Sequence, residues 1–205
     1  LLQKEYEMKA LQAQINPHFL YNSLSLINWK ALEAGQNDIS KLTLLLSAFY
    51  RTALNKGNNI LSIGEEVKNV RSYIDIQLMM HDYNFDVEIE IPDKMKEYAT
   101  LNLILQPLVE NAIDHGIDLK EDGRGKISIE GKEQKDDIYL IVSDNGIGME
   151  QEKAQQMLTK KSKGYGLRNV KERIELFFGT DYGVTVTSKP RHGTTICIHM
   201  PKRYL

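Results

Sequence analysis

FDVEIEI, residues 85–91, is where this chain changes its period. Phe85, Val87, Ile89 and Ile91 recur at every second position with Asp86, Glu88 and Glu90 between them, the pattern of a half-buried strand. Upstream, the apolar residues recur with helical spacing instead. Leu11, Ile15, Leu20, Leu24 and Ile27 predict one long helix from residue 1 to about 34, ending near Gly35. Leu42, Leu45, Leu46, Phe49 and Ala53 predict a second, from about Ile39 to Leu54. The short polar turn GQND between them makes an antiparallel hairpin. A lone hairpin buries both stripes poorly, so pairing with a second copy into a four-helix bundle is the economical solution.

NKGNN, residues 55–59, is rich in turn residues and is expected to act as a hinge. Ser62 and Glu65 then have capping-box spacing ahead of Val67, Val70, Ile74 and Leu78, which share one helix face. Beyond FDVEIEI, further strands are expected at 126–130, 137–143, 183–188 and 194–200, and helices at about 101–116 and 166–178. The expected fold class is therefore α+β. A helical hairpin over residues 1–58 precedes an α/β sandwich with a mixed sheet over residues 59–205.

Composition narrows the function. The 205 residues are 41% hydrophobic and 26% charged, with 26 basic against 28 acidic side chains and a net charge of −2. Neither sign dominates and no long basic run occurs, so binding to nucleic acid by charge attraction has no support. The single Cys197 permits no internal disulfide, in keeping with a reducing compartment, and its apolar setting TTICIHM predicts a buried thiol. The longest apolar stretches, such as LTLLLSAF at 42–49, are too short to cross a bilayer, and no signal-peptide pattern opens the chain. Starting at Leu1 rather than Met, the sequence is expected to be a piece of a longer protein.

Four segments carry the chemistry. In QINPHFLYNSL, residues 14–24, Pro17 interrupts a helical run directly before His18. It removes a backbone donor and is expected to kink the helix beside the histidine; read alone, Pro17 is equally a helix boundary and His18 a surface or core histidine. In LVENAIDHG, residues 108–116, Asn111 sits in a predicted helix although asparagine is a poor helix former. Its amide oxygen is a hard ligand suited to Mg²⁺, and His115, four residues on, can share its face. Read alone, the segment is equally a solvated polar face.

SDNGIGM, residues 143–149, puts Asp144 at the end of a predicted strand beside Gly146 and Gly148. A carboxylate accepts a hydrogen bond from the exocyclic amine of adenine and repels the carbonyl of guanine, so one aspartate can select adenine. The glycines let a flat ring approach the backbone. Read alone, DNGIG also serves as a tight turn. GYGLRNV, residues 164–170, opens a helix with free amides and a positive dipole end, which suits an anion. Lys160, Lys161 and Lys163 precede it and could reach phosphates, although such a cluster is more often a solvated loop.

The order and spacing of these segments together carry a resemblance. NAIDHG, DNGIGM and GYGLRN resemble the N, G1 and G2 boxes of the GHKL ATP-binding fold shared by histidine kinases, gyrases, Hsp90 and MutL. With QINPHFLYNSL, the chain more narrowly resembles sensor histidine kinases of the YesM/LytS type over essentially its whole length.

The resemblance implies a set of roles. His18 matches the phosphoacceptor, Asn111 the Mg²⁺ residue and Asp144 the adenine-reading acid. Gly146 and Gly148 match the glycines around the base. Gly164 and Gly166, with Lys163 and Leu167, match the hinge beside the phosphates, and His115 belongs to the same nucleotide site. Thr195 falls where the fold places a threonine near adenine through water. Arg168 and Asn169 follow the second glycine box as in relatives.

The chain departs from the family pattern at three places. Met80 stands near where relatives have arginine, and Asn102 and Leu103 stand where proline is common. Phe19 follows His18 where many other histidine kinases carry an acid. Glu110 and Asn22, the latter one turn after His18, are the candidates for the general base.

The implied activity is phosphoryl transfer from ATP, with Mg²⁺, to His18 of a homodimer, and onward to an aspartate of a response regulator receiver domain. The implied location is cytoplasmic, with the membrane reached only through an upstream sensor region of the parent protein. Two other classes stand against this reading: a nucleotide-binding scaffold or regulator phosphatase without kinase activity, and a GHKL ATPase that hydrolyses ATP. The second leaves PHFLYN and the helical hairpin unexplained.

Overall fold

The computed structural model describes residues 17–53, 59–159 and 166–205. Helix α1, Pro17–Glu33, and helix α2, Asn37–Ala53, form the expected hairpin. Leu24 and Ala31 are buried between them, and Ser40 Oγ donates to Asn28 Oδ1 at 2.7 Å across the turn. The predicted kink before Pro17 and the hinge at 55–58 lie outside the described residues. Lys41 and Phe49 tie the hairpin to the next helix. The Phe49 ring lies 6.2 Å from the Tyr73 ring, and Lys41 Nζ donates to Tyr83 Oη at 3.3 Å.

Strand β1, Ile60–Ser62, leads into helix α3, Ile63–Met80, through the predicted capping box. The Glu65 amide donates to Ser62 Oγ at 3.2 Å, and the Ser62 amide donates to Glu65 Oε2 at 2.9 Å. Strand β2, Phe85–Glu90, follows, and then the short strand β3, Ala99–Leu101, which pairs antiparallel with β1. Neither β1 nor β3 is expected from the sequence, because three residues are too few to establish an alternation.

Helix α4, Gln106–Ala112, is shorter than the expected helix at 101–116. Its first residues are instead β3 and a turn in which Leu103 has a φ of 55°, so the helix can begin only beyond it. A wide π-type turn, Ile113–Ile117, continues from α4. Strands β4, Gly125–Gln134, and β5, Asp137–Asp144, run somewhat longer than expected. Helix α5, Gln151–Gln156, was not foreseen, since QEKAQQ carries no apolar stripe. Helix α6, Leu167–Phe178, and strands β6, Gly183–Ser188, and β7, Thr194–Pro201, complete the chain close to the expected bounds.

The main sheet has the order β2-β4-β5-β7-β6. It is mixed: β2 runs parallel to β4, and every other neighbour is antiparallel. Ile127, Ile129, Leu140, Val142, Ile196 and Ile198 line its inner face, and Val70, Ile74, Leu108, Val170 and Ile174 of α3, α4 and α6 cover it. Period-two alternation corrects one expectation. Ile196 and Ile198 point into this core, so Cys197 between them points the other way and is only half-buried.

Candidate functional site

Two tight turns at neighbouring strand and helix ends create the site. At the end of β5, Asn145 anchors the chain to β4: its Oδ1 accepts the Lys126 amide at 2.8 Å, and its Nδ2 donates to the Arg124 carbonyl at 3.2 Å. Asp144 is thereby fixed at the end of the central strand, where its Oδ1 accepts the Gly146 amide at 2.8 Å. Partial burial holds the Asp144 carboxyl above the usual carboxylate range, against the lowering effect of the Gly146 and Thr194 amides.

The glycines around Asp144 are required by space. A methyl on Gly116 would stand 2.7 Å from Asp144 Oδ1. One on Gly146 would overlap the Gly116 backbone, and one on Gly193 would overlap the Asp144 carbonyl. Gly148 has a φ of +59° and would also collide with the Lys189 carbonyl. Gly116 and Gly193 were not among the site residues expected from sequence, although the HG ending the N box and the HGT before β7 both contain them. Thr195 lies opposite Ser143 in the β5–β7 register, with their hydroxyl oxygens 3.0 Å apart. Ser188 closes the loop: its Oγ accepts the Met149 amide at 2.9 Å and donates to the Gly193 carbonyl at 3.0 Å.

A cavity of about 310 Å³ opens between the end of α4, α5 and the start of α6. Asn111, His115, Gly166 and Leu167, all expected from sequence, line it together with Lys153, Gln156 and Met157. Asp144, Gly146, Gly148 and Thr195, also expected from sequence, are not among its lining residues; Asp144 packs against Gly116, the neighbour of His115. Asn111 Nδ2 donates to the Pro107 carbonyl at 2.6 Å, which leaves its side-chain oxygen for other partners. Lys153 supplies a cation at the cavity, where the sequence points instead to Lys160, Lys161 and Lys163. Those lysines and Gly164 lie outside the described residues. Arg168, on the first turn of α6, is paired with Glu172 at 2.6 Å, and the Asn169 amide donates to the Gly166 carbonyl at 2.9 Å.

Among the described residues, no cluster of three or more His, Cys, Asp or Glu side chains is arranged to hold a metal. Glu110, next to Asn111, accepts Gln106 Nε2 at 2.6 Å. His18 and Asn22 stand apart from the cavity lining, on the exposed face of α1, with His18 Nδ1 3.2 Å from Asn22 Nδ2. Met80, where an arginine was expected, is exposed.

The sequence and the fold both match known proteins. Residues 6–85 match the family described as histidine kinase, and residues 97–204 the family described as histidine kinase-, DNA gyrase B- and HSP90-like ATPase. The chain is 39% identical over 203 residues to the sensor histidine kinase YesM of Bacillus subtilis, covering 99% of this chain and 34% of that protein. Sensor histidine kinase BtsS of Escherichia coli is 32% identical over 197 residues, with 96% and 34% covered. Sensor protein LytS of Bacillus anthracis is 30% identical over 208 residues, with 98% and 35% covered. The chain thus spans about a third of the length of the curated relatives it matches.

Among solved structures, the histidine kinase domain of the blue-light activated histidine kinase from Erythrobacter litoralis matches with a TM-score of 0.54 at 15% identity, covering 98% of this chain and 94% of that one. The histidine kinase ThkA in complex with the response regulator protein TrrA matches with a TM-score of 0.53 at 18% identity, covering 96% and 61%. At these identities the likeness establishes the fold.

Proposed function

This chain belongs to the histidine kinase-, DNA gyrase B- and HSP90-like ATPase family, on its sensor histidine kinase branch, and we propose that it phosphorylates its own His18 from Mg-ATP and passes the phosphoryl group to an aspartate of a response regulator. The observation that carries this reading is the glycine cradle around Asp144 beside the cavity lined by Asn111 and His115. A β-carbon would close that cradle at four positions, which fits a flat base laid against backbone. In this reading residues 59–205 form the nucleotide-binding unit and residues 1–58 the phosphoacceptor hairpin.

Each residue has a definable task. Asp144 accepts the exocyclic amine of adenine, and Ser143 and Thr195 position water beside it. Asn111 offers its side-chain oxygen to Mg²⁺, which when bound neutralises phosphate charge. Lys153 and the amides at the start of α6 serve the phosphates. His18 is exposed. A loose transition state demands mainly positioning. Glu110 and Asn22 remain the candidates to take up or orient the proton.

Several large apolar side chains on α1 are open to solvent: Phe19, Leu26, Trp29 and Leu32 are all more than half exposed. Such a face supports the bundle formed with a second copy of the chain. No helix among the described residues is long and apolar enough to cross a membrane. We place any membrane attachment in the part of the parent protein that this chain does not span.

The direct test is incubation with γ-labelled ATP and Mg²⁺, comparing wild type with His18→Gln. Acid-labile, base-stable label that disappears in the variant is the expected result. Nucleotide binding with no label in the wild type overturns the kinase reading.

A further inference from the structure

Glu66 has no exposed surface and no place in the chemistry above. Its carboxylate lies under the turn that precedes α4. Oε2 accepts the Leu103 amide at 2.9 Å, and Oε1 accepts the Ile104 and Leu105 amides at 2.7 and 2.9 Å. From the other side, Arg173 of α6 donates to the Asn102 carbonyl at 2.6 Å and the Leu103 carbonyl at 3.5 Å. The Asn102 amide in turn donates to the carbonyl of Asn59, just after the segment that joins the hairpin. Both the donors and the acceptors of this turn are therefore held.

Stability alone does not call for such a device. Burying a carboxylate carries a desolvation penalty that an apolar side chain avoids, and burial here pushes the Glu66 carboxyl up despite its amides. The clamped turn also contains Leu103 at a φ of 55°, a left-handed conformation that leucine adopts only when its surroundings impose it. Backbone strain held by a buried charge indicates that the direction of the following helix matters.

We propose that Glu66 is a positioning residue for Asn111: by gripping the amides of Leu103, Ile104 and Leu105 it sets the angle at which α4 presents the Asn111 side-chain oxygen. Asn111 lies six residues beyond Leu105, about 9 Å along a helix at about 1.5 Å per residue. Over that lever arm a tilt of roughly 7° moves the oxygen by about 1 Å. A displacement of that size between reacting groups can reduce a rate by about a hundredfold. The proposal rests on Asn111 being the Mg²⁺ residue and adds what aims it.

The test is binding of ATP to the whole chain, with Mg²⁺ and with EDTA, for Glu66→Gln, Asn111→Ala and the double variant. Glu66→Gln is expected to weaken Mg-ATP binding about tenfold, as loss of an outer support typically does. Binding in EDTA should change by no more than about twofold, and the double variant should bind Mg-ATP no more weakly than Asn111→Ala alone. Equal losses with and without Mg²⁺, or losses that add in the double variant, would make Glu66 merely structural and overturn the proposal. If Glu66→Gln does not fold, Arg173→Lys loosens the same turn from its carbonyl side and must show the same Mg²⁺-specific loss. Wild-type Mg-ATP affinity in Asn111→Ala overturns the assignment of Asn111 itself, and this proposal with it.

Discussion

A β-carbon on Gly116 would stand 2.7 Å from Asp144 Oδ1, so the turn after α4 and the end of β5 meet with no room for a side chain. Gly116→Ala forces one of them to move, an overpacking that typically costs about 1–3 kcal/mol. The expected outcome is a folded protein with a lower melting temperature and adenine nucleotide affinity reduced by more than about tenfold. Calorimetric titration with ATP checks it, and unchanged affinity would show that the base binds elsewhere.

Asp144 itself predicts a pH dependence. Burial holds its folded-state pKa above the ordinary 3.8. The folded chain therefore binds this proton more tightly than the unfolded chain does. The stability it contributes is complete below the unfolded value and is lost as pH rises through the folded one. Asp144→Asn carries no charge at any pH and escapes that loss. Melting curves of the nucleotide-free proteins should show the variant gaining on wild type as pH rises from the ordinary carboxylate value toward neutrality, while its ATP affinity falls. A constant difference across that range would contradict the assignment.

The capping box at the head of α3 offers a contrast. Ser62→Ala removes the acceptor for the Glu65 amide and is expected to lower stability by about 1 kcal/mol. Chemical denaturation should register the loss, while Mg-ATP affinity stays at the wild-type value. Together with Glu66→Gln it separates weakening of α3 from misdirection of α4.

Ile174 of α6 is fully buried beneath the sheet. Ile174→Ala leaves a cavity in the core and should cost about 2–5 kcal/mol in urea unfolding. A loss below about 1 kcal/mol would mean that α6 is not packed as described.

The hairpin makes a prediction about assembly. Trp29 is 67% exposed and Leu26 61% on the face of α1 turned away from α2. Leu26→Asp with Trp29→Glu places charges on the surface proposed to meet a second copy. Sedimentation should show dimers in the wild type and monomers in the variant, with the circular dichroism of the two unchanged. A dimer that survives both charges lies on another surface.

Much of the architecture was legible because it depends on local periodicity. FDVEIEI and TTICIHM alternate, DIYLIVS is a short apolar run rich in β-branched and aromatic residues, and the strands they form keep close to those bounds. The apolar positions Leu167, Val170, Ile174 and Phe177 likewise marked α6, although the core buries Phe178 and leaves Phe177 exposed. Asn111, His115, Gly166 and Leu167 were recognisable as site residues by motif, and the fold gathers them around one cavity. The Ser62–Glu65 capping box is a contact between neighbours three residues apart, so the sequence contained it completely.

What the sequence could not contain was determined at long range. The expected helix at 101–116 begins only at Gln106, because Glu66, 37 to 39 residues earlier, and Arg173, about 70 residues later, hold the intervening turn. Lys153 reaches the cavity from a polar helix with no periodic signal, and Gly116 and Gly193 matter through their closeness to Asp144. The amino-acid order by itself determined where the chain turns helical or extended and which motifs it carries, since those follow from side chains a few positions apart. Tertiary structure alone decided which buried charge aims which helix, since a carboxylate acquires that role only when distant amides are folded onto it.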